Sequence, residues 1–388
     1  MSLSLKVNSA VDKALKGFVQ SEAAAEALKL GLASGKNVLF HGVGGYGKSE
    51  MTNAVLAKAL ATDIRVWKSQ LHVESTISSL YGGIDMKSLR ESGEEKYRVK
   101  WSLLTADVAV LEEMLDAPAS VLGSLKTLFT EGALLNGGQR VESQCKLAIA
   151  LTNRSPDEIS QMGRSEAATL ERFPIQLEVT WKQDNASERL KLYQAVHNGS
   201  DANNGEVAER LTRRDLADLP RLVKQVRLTE DYLRKKAAFS VELKKLHDIS
   251  PRLDIWADQL AQAAAFLAGR SEVILDDLKV MRYLVADEAG KVAKFDDIFF
   301  EVVDFSRKMD DDVQFLNSIE MDFDTAKNWY KKEAKGNIAA VVTMAKEAKA
   351  TKAKLQGRSV LEQNKDRRQQ LLDSLEKLSN NMLLSLAN

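Results

Sequence analysis

Eight consecutive residues, Gly42-Val43-Gly44-Gly45-Tyr46-Gly47-Lys48-Ser49, fit the pattern GxxxxGK[ST] in full. Glycines let a backbone turn until several N–H groups face one point, which is what a polyanion needs. Lys48 would set its charge against the outer phosphates of a nucleoside triphosphate, and the Ser49 hydroxyl would take a magnesium ion. About sixty residues on, the apolar run Val108-Ala109-Val110-Leu111 ends in Glu112-Glu113. Two acids at a strand end have different uses beside a triphosphate. Glu112 would orient the metal and its waters, and Glu113 would polarise the water that attacks the γ phosphate. Asp107 precedes the strand and is set aside for the metal role. Glu112 is one methylene longer than an aspartate in that role would be. Its extra methylene must fold back or shift the coordination, which bears on the rate of hydrolysis more than on nucleotide binding.

These groups need a scaffold that converges on one crevice. Residues 9–34 read as one helix, with Leu15, Phe18, Val19, Ala25, Leu28 and Leu32 at helical spacing and Gly35 as its stop. Asn37–Phe40 reads as a strand leading into the glycine-rich turn, and residues 48–61 resume the helical period. Ile64–Trp67, Val108–Leu111, Leu147–Leu151 and Ile175–Val179 are further candidate strands, and Ser120–Thr130 is a helix between them. Alternation of strand and helix predicts an α/β unit, a parallel sheet with helices on both faces. Ligands of such sheets sit at the carboxyl ends of the strands, where the polar residues above fall.

From Ser187 the strand signal stops. Residues 187–290 read as helices with breaks, two of them marked by Pro220 and Pro251. Residues 295–388 contain no proline and many charges. Leu371, Leu375, Leu378 and Met382 form a seam on one helix, suited either to a bundle within the chain or to a coiled coil between chains. The basic stretch Lys346–Lys354 reads as a solvated helix face. The expected division is a nucleotide-binding α/β domain over 1–185, a helical lid over 186–292 and a helical C-terminal domain over 293–388.

Composition narrows the function classes. The 388 residues carry 55 Lys and Arg against 55 Asp and Glu. Zero net charge lacks the basic excess usual for proteins held on nucleic-acid phosphates. Cys145 is the sole cysteine, so neither an internal disulfide nor a cysteine-rich zinc site is possible. His41, His72, His197 and His247 show no metal-ligand spacing. No apolar stretch reaches the length of a membrane span, and the first residues lack a leader-like apolar region, so a cytoplasmic protein is expected.

The order of features resembles the MoxR branch of the AAA+ ATPases, its RavA-like group in particular, over roughly residues 10–290. GFVQSEAAAEALKLGLASGKNVLFHGVGGYGKS is similar to the family's helix, strand and phosphate loop, though VGGY departs from the usual proline-containing interior. LEEMLDAPASVLGSLKTLFTEGALLNGGQRVES resembles its acidic site, following helix and β-hairpin. AIALTN resembles the strand whose terminal asparagine, here Asn153, senses the γ phosphate. Leu170-Glu171-Arg172-Phe173 resembles the family's L-D-R-F, which implies Arg172 as a finger reaching the neighbouring subunit's ATP, with Arg164 as the competing residue. Ser250-Pro251-Arg252 matches its S-P-R, which implies Arg252 as a lid arginine contacting the nucleotide between the two domains. Gly269-Arg270 to Asp276-Asp277-Leu278 resembles the turns that follow. The resemblance implies ATP and Mg2+ as cofactors and a ring, most commonly a hexamer. It also implies remodelling of a partner protein, often one with a von Willebrand A domain. A nucleic-acid-stimulated motor and a nucleotide-gated scaffold with little turnover are the alternatives.

Overall fold

The structure is a computed structural model that describes residues 2–93, 96–136, 139–197, 209–245, 249–284, 291–333 and 338–384. The chain divides into two compact units, residues 1–296 and 297–388.

The first unit is built on a five-stranded parallel sheet. Its strands are β1 (Val38–His41), β2 (Val66–Gln70), β3 (Val108–Glu112), β6 (Leu147–Leu151) and β7 (Ile175–Glu178). They lie in the order β2-β3-β6-β1-β7. Strands β1, β3 and β6 are apolar runs because helices bury both of their faces. Two further strands, β4 (Ala133–Asn136) and β5 (Gln139–Glu142), pair antiparallel as a separate hairpin. Two strands differ slightly from expectation. Strand β1 extends through His41, and the Ile64–Trp67 strand is shifted to Val66–Gln70. Ile64 is buried but sits in the turn leading to β2, so its burial, not strand pairing, gave the apolar signal.

The single helix expected over residues 9–34 is two helices, Leu3–Ala14 and Glu22–Ser34. Gly17 and Gln20 between them adopt φ of 98° and 54°, left-handed values that no α-helix accommodates. The apolar period runs on across the break because both helices bury the same kind of face.

The later helices of this unit are Ala186–His197, Arg213–Val223, Glu230–Leu243 and Pro251–Leu267, followed by a 3-10 segment, Leu275–Leu284. Pro251 starts its helix behind the Ser250 cap, where a missing N–H costs nothing. Pro220 lies inside a helix rather than at a break, three residues before its end. The Arg213–Val223 helix packs against Glu22–Ser34, and the Pro251–Leu267 helix packs against both Leu3–Ala14 and Glu22–Ser34. Ties from this region include Lys6 to Asp215 at 2.8 Å, the Asn8 amide donating to the Leu267 carbonyl at 2.8 Å, and the Tyr283 hydroxyl donating to Glu26 at 2.8 Å. Arg213 reaches the amino end of β3, where its Nε donates to the buried Asp107 at 2.7 Å. The Glu230–Leu243 and Pro251–Leu267 helices are joined by Lys236, which pairs with Asp258 at 2.8 Å.

In the second unit three helices, Phe305–Glu333, Ile338–Gly357 and Lys365–Leu384, pack as a bundle. The Leu371, Leu375, Leu378 and Met382 seam is buried within it, against Leu316, Ile319 and Leu355 at one end and Ala326, Val341 and Ala345 at the other. The seam therefore has its partner inside the same chain. No described helix is long and apolar enough to cross a membrane.

Candidate nucleotide site

Residues 42–47 form the turn between β1 and the Lys48–Ala59 helix. Gly42, Gly45 and Gly47 hold φ of 106°, 91° and 81°, a run of left-handed values that side chains resist. The loop delivers the amino end of the helix, with its partial positive charge, to the carboxyl edge of the sheet. Lys48 is 6% exposed and folds back over the loop. Its Nζ donates to the carbonyls of Gly42 at 2.6 Å and Val43 at 2.9 Å. Burial lowers its pKa, while Glu113 and Glu50 act to raise it. The ammonium thus stays near the loop on hydrogen bonds that stronger acceptors, such as phosphate oxygens, could replace.

Pairing continues past the strand ends: Thr152 N–H donates to Phe40 O at 3.0 Å and Gly42 N–H to Arg154 O at 2.9 Å. This places the Asn153 side chain against Gly44, where an added Cβ would lie 3.5 Å from Asn153 Oδ1. Asn153 in turn grips Glu113. Its backbone N–H donates to Glu113 Oε2 at 3.2 Å and its Nδ2 donates to Oε1. Glu113 holds φ 49° and ψ 42°, a left-handed conformation that costs a non-glycine residue roughly 1 kcal/mol. The turn aims its carboxylate along the sheet edge toward Lys48 rather than onward with β3. Lys48, Glu113 and Asn153 therefore share one crevice at the switch point between β1 and β6.

Glu112 ends β3 beside this crevice and pairs with Lys68 of β2 at 2.9 Å. Ser49 stands in the first turn of the loop's helix. A hydroxyl and a carboxylate are hard oxygen donors, the set that suits magnesium when phosphates complete its shell. Among the described residues no three His, Cys, Asp or Glu side chains gather as a self-sufficient metal cage. Tyr46, in the loop, makes an edge-to-face contact with Trp181 at 6.4 Å. Gln20 joins that neighbourhood to the segment after β7: Lys182 N–H donates to its Oε1 at 2.8 Å, and its Nε2 donates to Gln183 O at 2.7 Å.

The two arginines lie elsewhere. The Arg172 carbonyl accepts from Asn37 Nδ2 at 2.9 Å, and Asn37 precedes β1, so Arg172 sits at the amino edge of the sheet. Its guanidinium is turned inward, donating to Thr130 Oγ1 at 2.8 Å, Ala168 O at 3.1 Å and Glu171 at 3.0 Å. Arg252 lies at the same edge, 3.9 Å from the Glu171 carboxylate. Burial and the neighbouring Arg252 both lower the pKa of Arg172, against the raising effect of Glu171. Arg252 is thus not beside its own phosphate loop, and the picture of a lid arginine over the subunit's own nucleotide does not match this geometry. The Pro251–Leu267 helix packs beside the amino end of β1, where Lys36 Nζ lies 4.5 Å over the Trp256 ring, and that packing carries Arg252 with it. The side chain of Arg164, the rival of Arg172, lies outside the described residues. Arg270 binds Asp277 with two parallel bonds of 2.8 and 2.7 Å, so the glycine-arginine and acidic turns hold the helical region together.

The sequence gives no sign of the contacts made by Lys68, Trp181, Gln20 and Glu171. Lys68 becomes visible only with the strand register, which pairs Lys68 with Val110 and Gln70 with Glu112. His41 has no metal-ligand spacing in the sequence, and its interest lies in its burial. It is fully buried at the end of β1, and neither ring nitrogen has a hydrogen-bond partner among the described residues. Burial, and then Lys48, push its pKa down to about 4.

A glycine-rich phosphate loop on a parallel sheet of this order, with acids and an asparagine at adjacent strand ends, defines a P-loop protein of the AAA+ class. Residues 5–220 match the family model of the MoxR domain in the MoxR-vWA-beta-propeller ternary systems, and the chain belongs to that family. It is 19% identical over 318 residues to an uncharacterised protein of Methanocaldococcus jannaschii, spanning 74% of this chain and 72% of that one. The crystal structure of a provisionally assigned ATPase from Cytophaga hutchinsonii shares the fold. Its TM-score is 0.56 at 17% identity, over 73% of this chain and 86% of the other.

Proposed function

We propose that the chain hydrolyses ATP with Mg2+ at the interfaces of a ring, most simply a hexamer, and uses the turnover to remodel a partner protein in the cytoplasm. The observation that carries this reading is the convergence of Lys48, Glu113 and Asn153 on one crevice. The loop amides and Lys48 hold the β and γ phosphates. Ser49 and Glu112 hold magnesium, which when bound neutralises charge on those phosphates. The Asn153 amide now occupied by Glu113 is the natural donor to a γ-phosphate oxygen. A triphosphate that takes it frees the carboxylate to orient water.

Arg172 and Arg252, at the far edge, fit the neighbour's nucleotide rather than their own, and Glu171 keeps both in reserve. Guanidinium groups match phosphate oxygens bidentately and stay charged, so their arrival across an interface would make hydrolysis depend on assembly. In this reading residues 1–185 form the nucleotide domain, 186–292 the lid and 293–388 a separate helical domain. The family's name points to a von Willebrand A domain protein as the partner. Co-purification with Glu113→Gln, which should hold ATP without cutting it, tests the reading: a trapped partner and bound ATP are expected. ATP affinity unchanged by Lys48→Ala would refute the nucleotide site.

A further inference from the structure

Glu112 and Lys68 lie on the same face of the sheet, as diagonal neighbours on paired parallel strands. The ammonium of Lys68 is 2.9 Å from Glu112 Oε1 and also donates to Asn53 Oδ1 at 3.0 Å. Asn53 is four residues beyond Ser49 on the loop's helix and so shares its face. Lys68 therefore bridges Glu112 to the loop's helix one turn beyond Ser49, beside the groups that would hold the metal. Glu112 is 21% exposed and Lys68 38%, so the pair is half-shielded from water rather than a free surface contact. An aspartate in place of Glu112 would be one methylene shorter and would reach less far back along β2.

We propose that Lys68 is a resident cation of the metal site, which neutralises Glu112 while magnesium is away and opposes magnesium when it comes. The inference rests on the triphosphate reading of the loop. Two consequences follow from charge alone. Without metal, an unpaired Glu112 would repel the phosphates, and Lys68 cancels that repulsion. With metal, a dication on Glu112 meets an ammonium within reach of the same carboxylate, which weakens its hold. The length of Glu112 and the presence of Lys68 thus act as one device, a positioning pair that lowers the dependence of nucleotide binding on magnesium.

The test is the affinity for a fluorescent ATP analogue, measured in EDTA and in saturating magnesium on the full chain. Lys68→Met, with Lys68→Gln as a second variant, is expected to weaken binding in EDTA and to strengthen it in magnesium. The ratio of the two Kd values should rise by about tenfold, as for removal of one partly shielded charge. In a Glu112→Asp background the same Lys68→Met change should move the ratio by less than about twofold, because the shorter side chain has already broken the pair. An unchanged or reduced ratio in both Lys68 variants would overturn the inference while leaving the nucleotide site intact. Absence of analogue binding by the native chain under either condition would remove both readings together.

Discussion

Arg172→Ala should abolish turnover in a way that a second, differently disabled subunit repairs. Arg172 is tied to Asn37 just before β1, and the phosphate loop begins just after it. A four-residue strand at about 3.3 Å per residue separates them by roughly 13 Å. At that distance two unit charges interact by about 1.3 kcal/mol at the effective dielectric of about 20 that suits a buried group, and little of that differs between bound ATP and the transition state. A guanidinium in contact with the transferring phosphoryl group is worth about 10³-fold or more, roughly 4 kcal/mol. The subunit's own Arg172 therefore does not supply the effect, and the proposed ring assigns it to a neighbour's. We expect Arg172→Ala to keep ATP affinity within a few-fold and lose about 10³-fold in kcat. Lys48→Ala subunits bind no nucleotide but keep their arginine. Mixed in equal amounts and reassembled at random, half the sites retain a phosphate loop from an Arg172→Ala subunit, and half of those face an intact arginine. About a quarter of the native phosphate-release rate should return, in a head-to-tail ring whose interfaces are all equivalent. Recovery also shows that the Arg172→Ala subunit is folded. A mixture no more active than the two variants apart would refute action across the interface, as would near-native turnover by Arg172→Ala alone.

Asn153→Ala should lower kcat by about 10²-fold, since a preorganised donor is lost where charge develops, with ATP affinity little changed; single-turnover kinetics separate the two. His41 is neutral in the fold, with its pKa down at about 4 against about 6.5 unfolded. Its stabilising share is complete above the unfolded value and is lost as pH falls from about 6.5 toward 4, by up to about 3 kcal/mol. His41→Leu should flatten that acid limb of the denaturant-midpoint profile and, by removing two unpaired nitrogens, raise the midpoint at neutral pH; an unchanged profile would show that His41 is partnered in solution. Asp107 accepts from Arg213 at 2.7 Å and from the Arg65 amide at 2.9 Å while almost fully buried. Asp107→Asn should cost about 2 kcal/mol and lower Tm by about 5 °C, measured by calorimetry.

What the sequence disclosed and what it withheld divide along one physical line. The phosphate loop, the acids ending β3 and the asparagine ending β6 were legible because their chemistry is local: each needs a residue type at the end of an apolar run. The break at Gly17 and Gln20 was not legible, because two helices burying similar faces leave one continuous apolar period. Nor was the place of Arg252. Its Ser-Pro-Arg start is readable, but the edge on which its helix packs is fixed by contacts from distant parts of the chain, Asn8 with the Leu267 carbonyl and Lys36 with the Trp256 ring. Lys68 illustrates the same limit from the other side. A lysine in an edge strand reads as solvated, and only the parallel register brings it against Glu112. What the sequence withholds is thus pairing: which edge Arg252 occupies and which carboxylate Lys68 meets are set by contacts between distant segments. A site whose binding half is local and whose cutting half is non-local can fill with ATP in an isolated chain yet hydrolyse it only on assembly. Isolated subunits should therefore hold ATP without consuming it, and turnover per chain should rise with concentration to a plateau. A rate per chain independent of dilution, down to where light scattering shows only monomers, would place every cutting group within one subunit and refute the action of Arg172 and Arg252 across an interface.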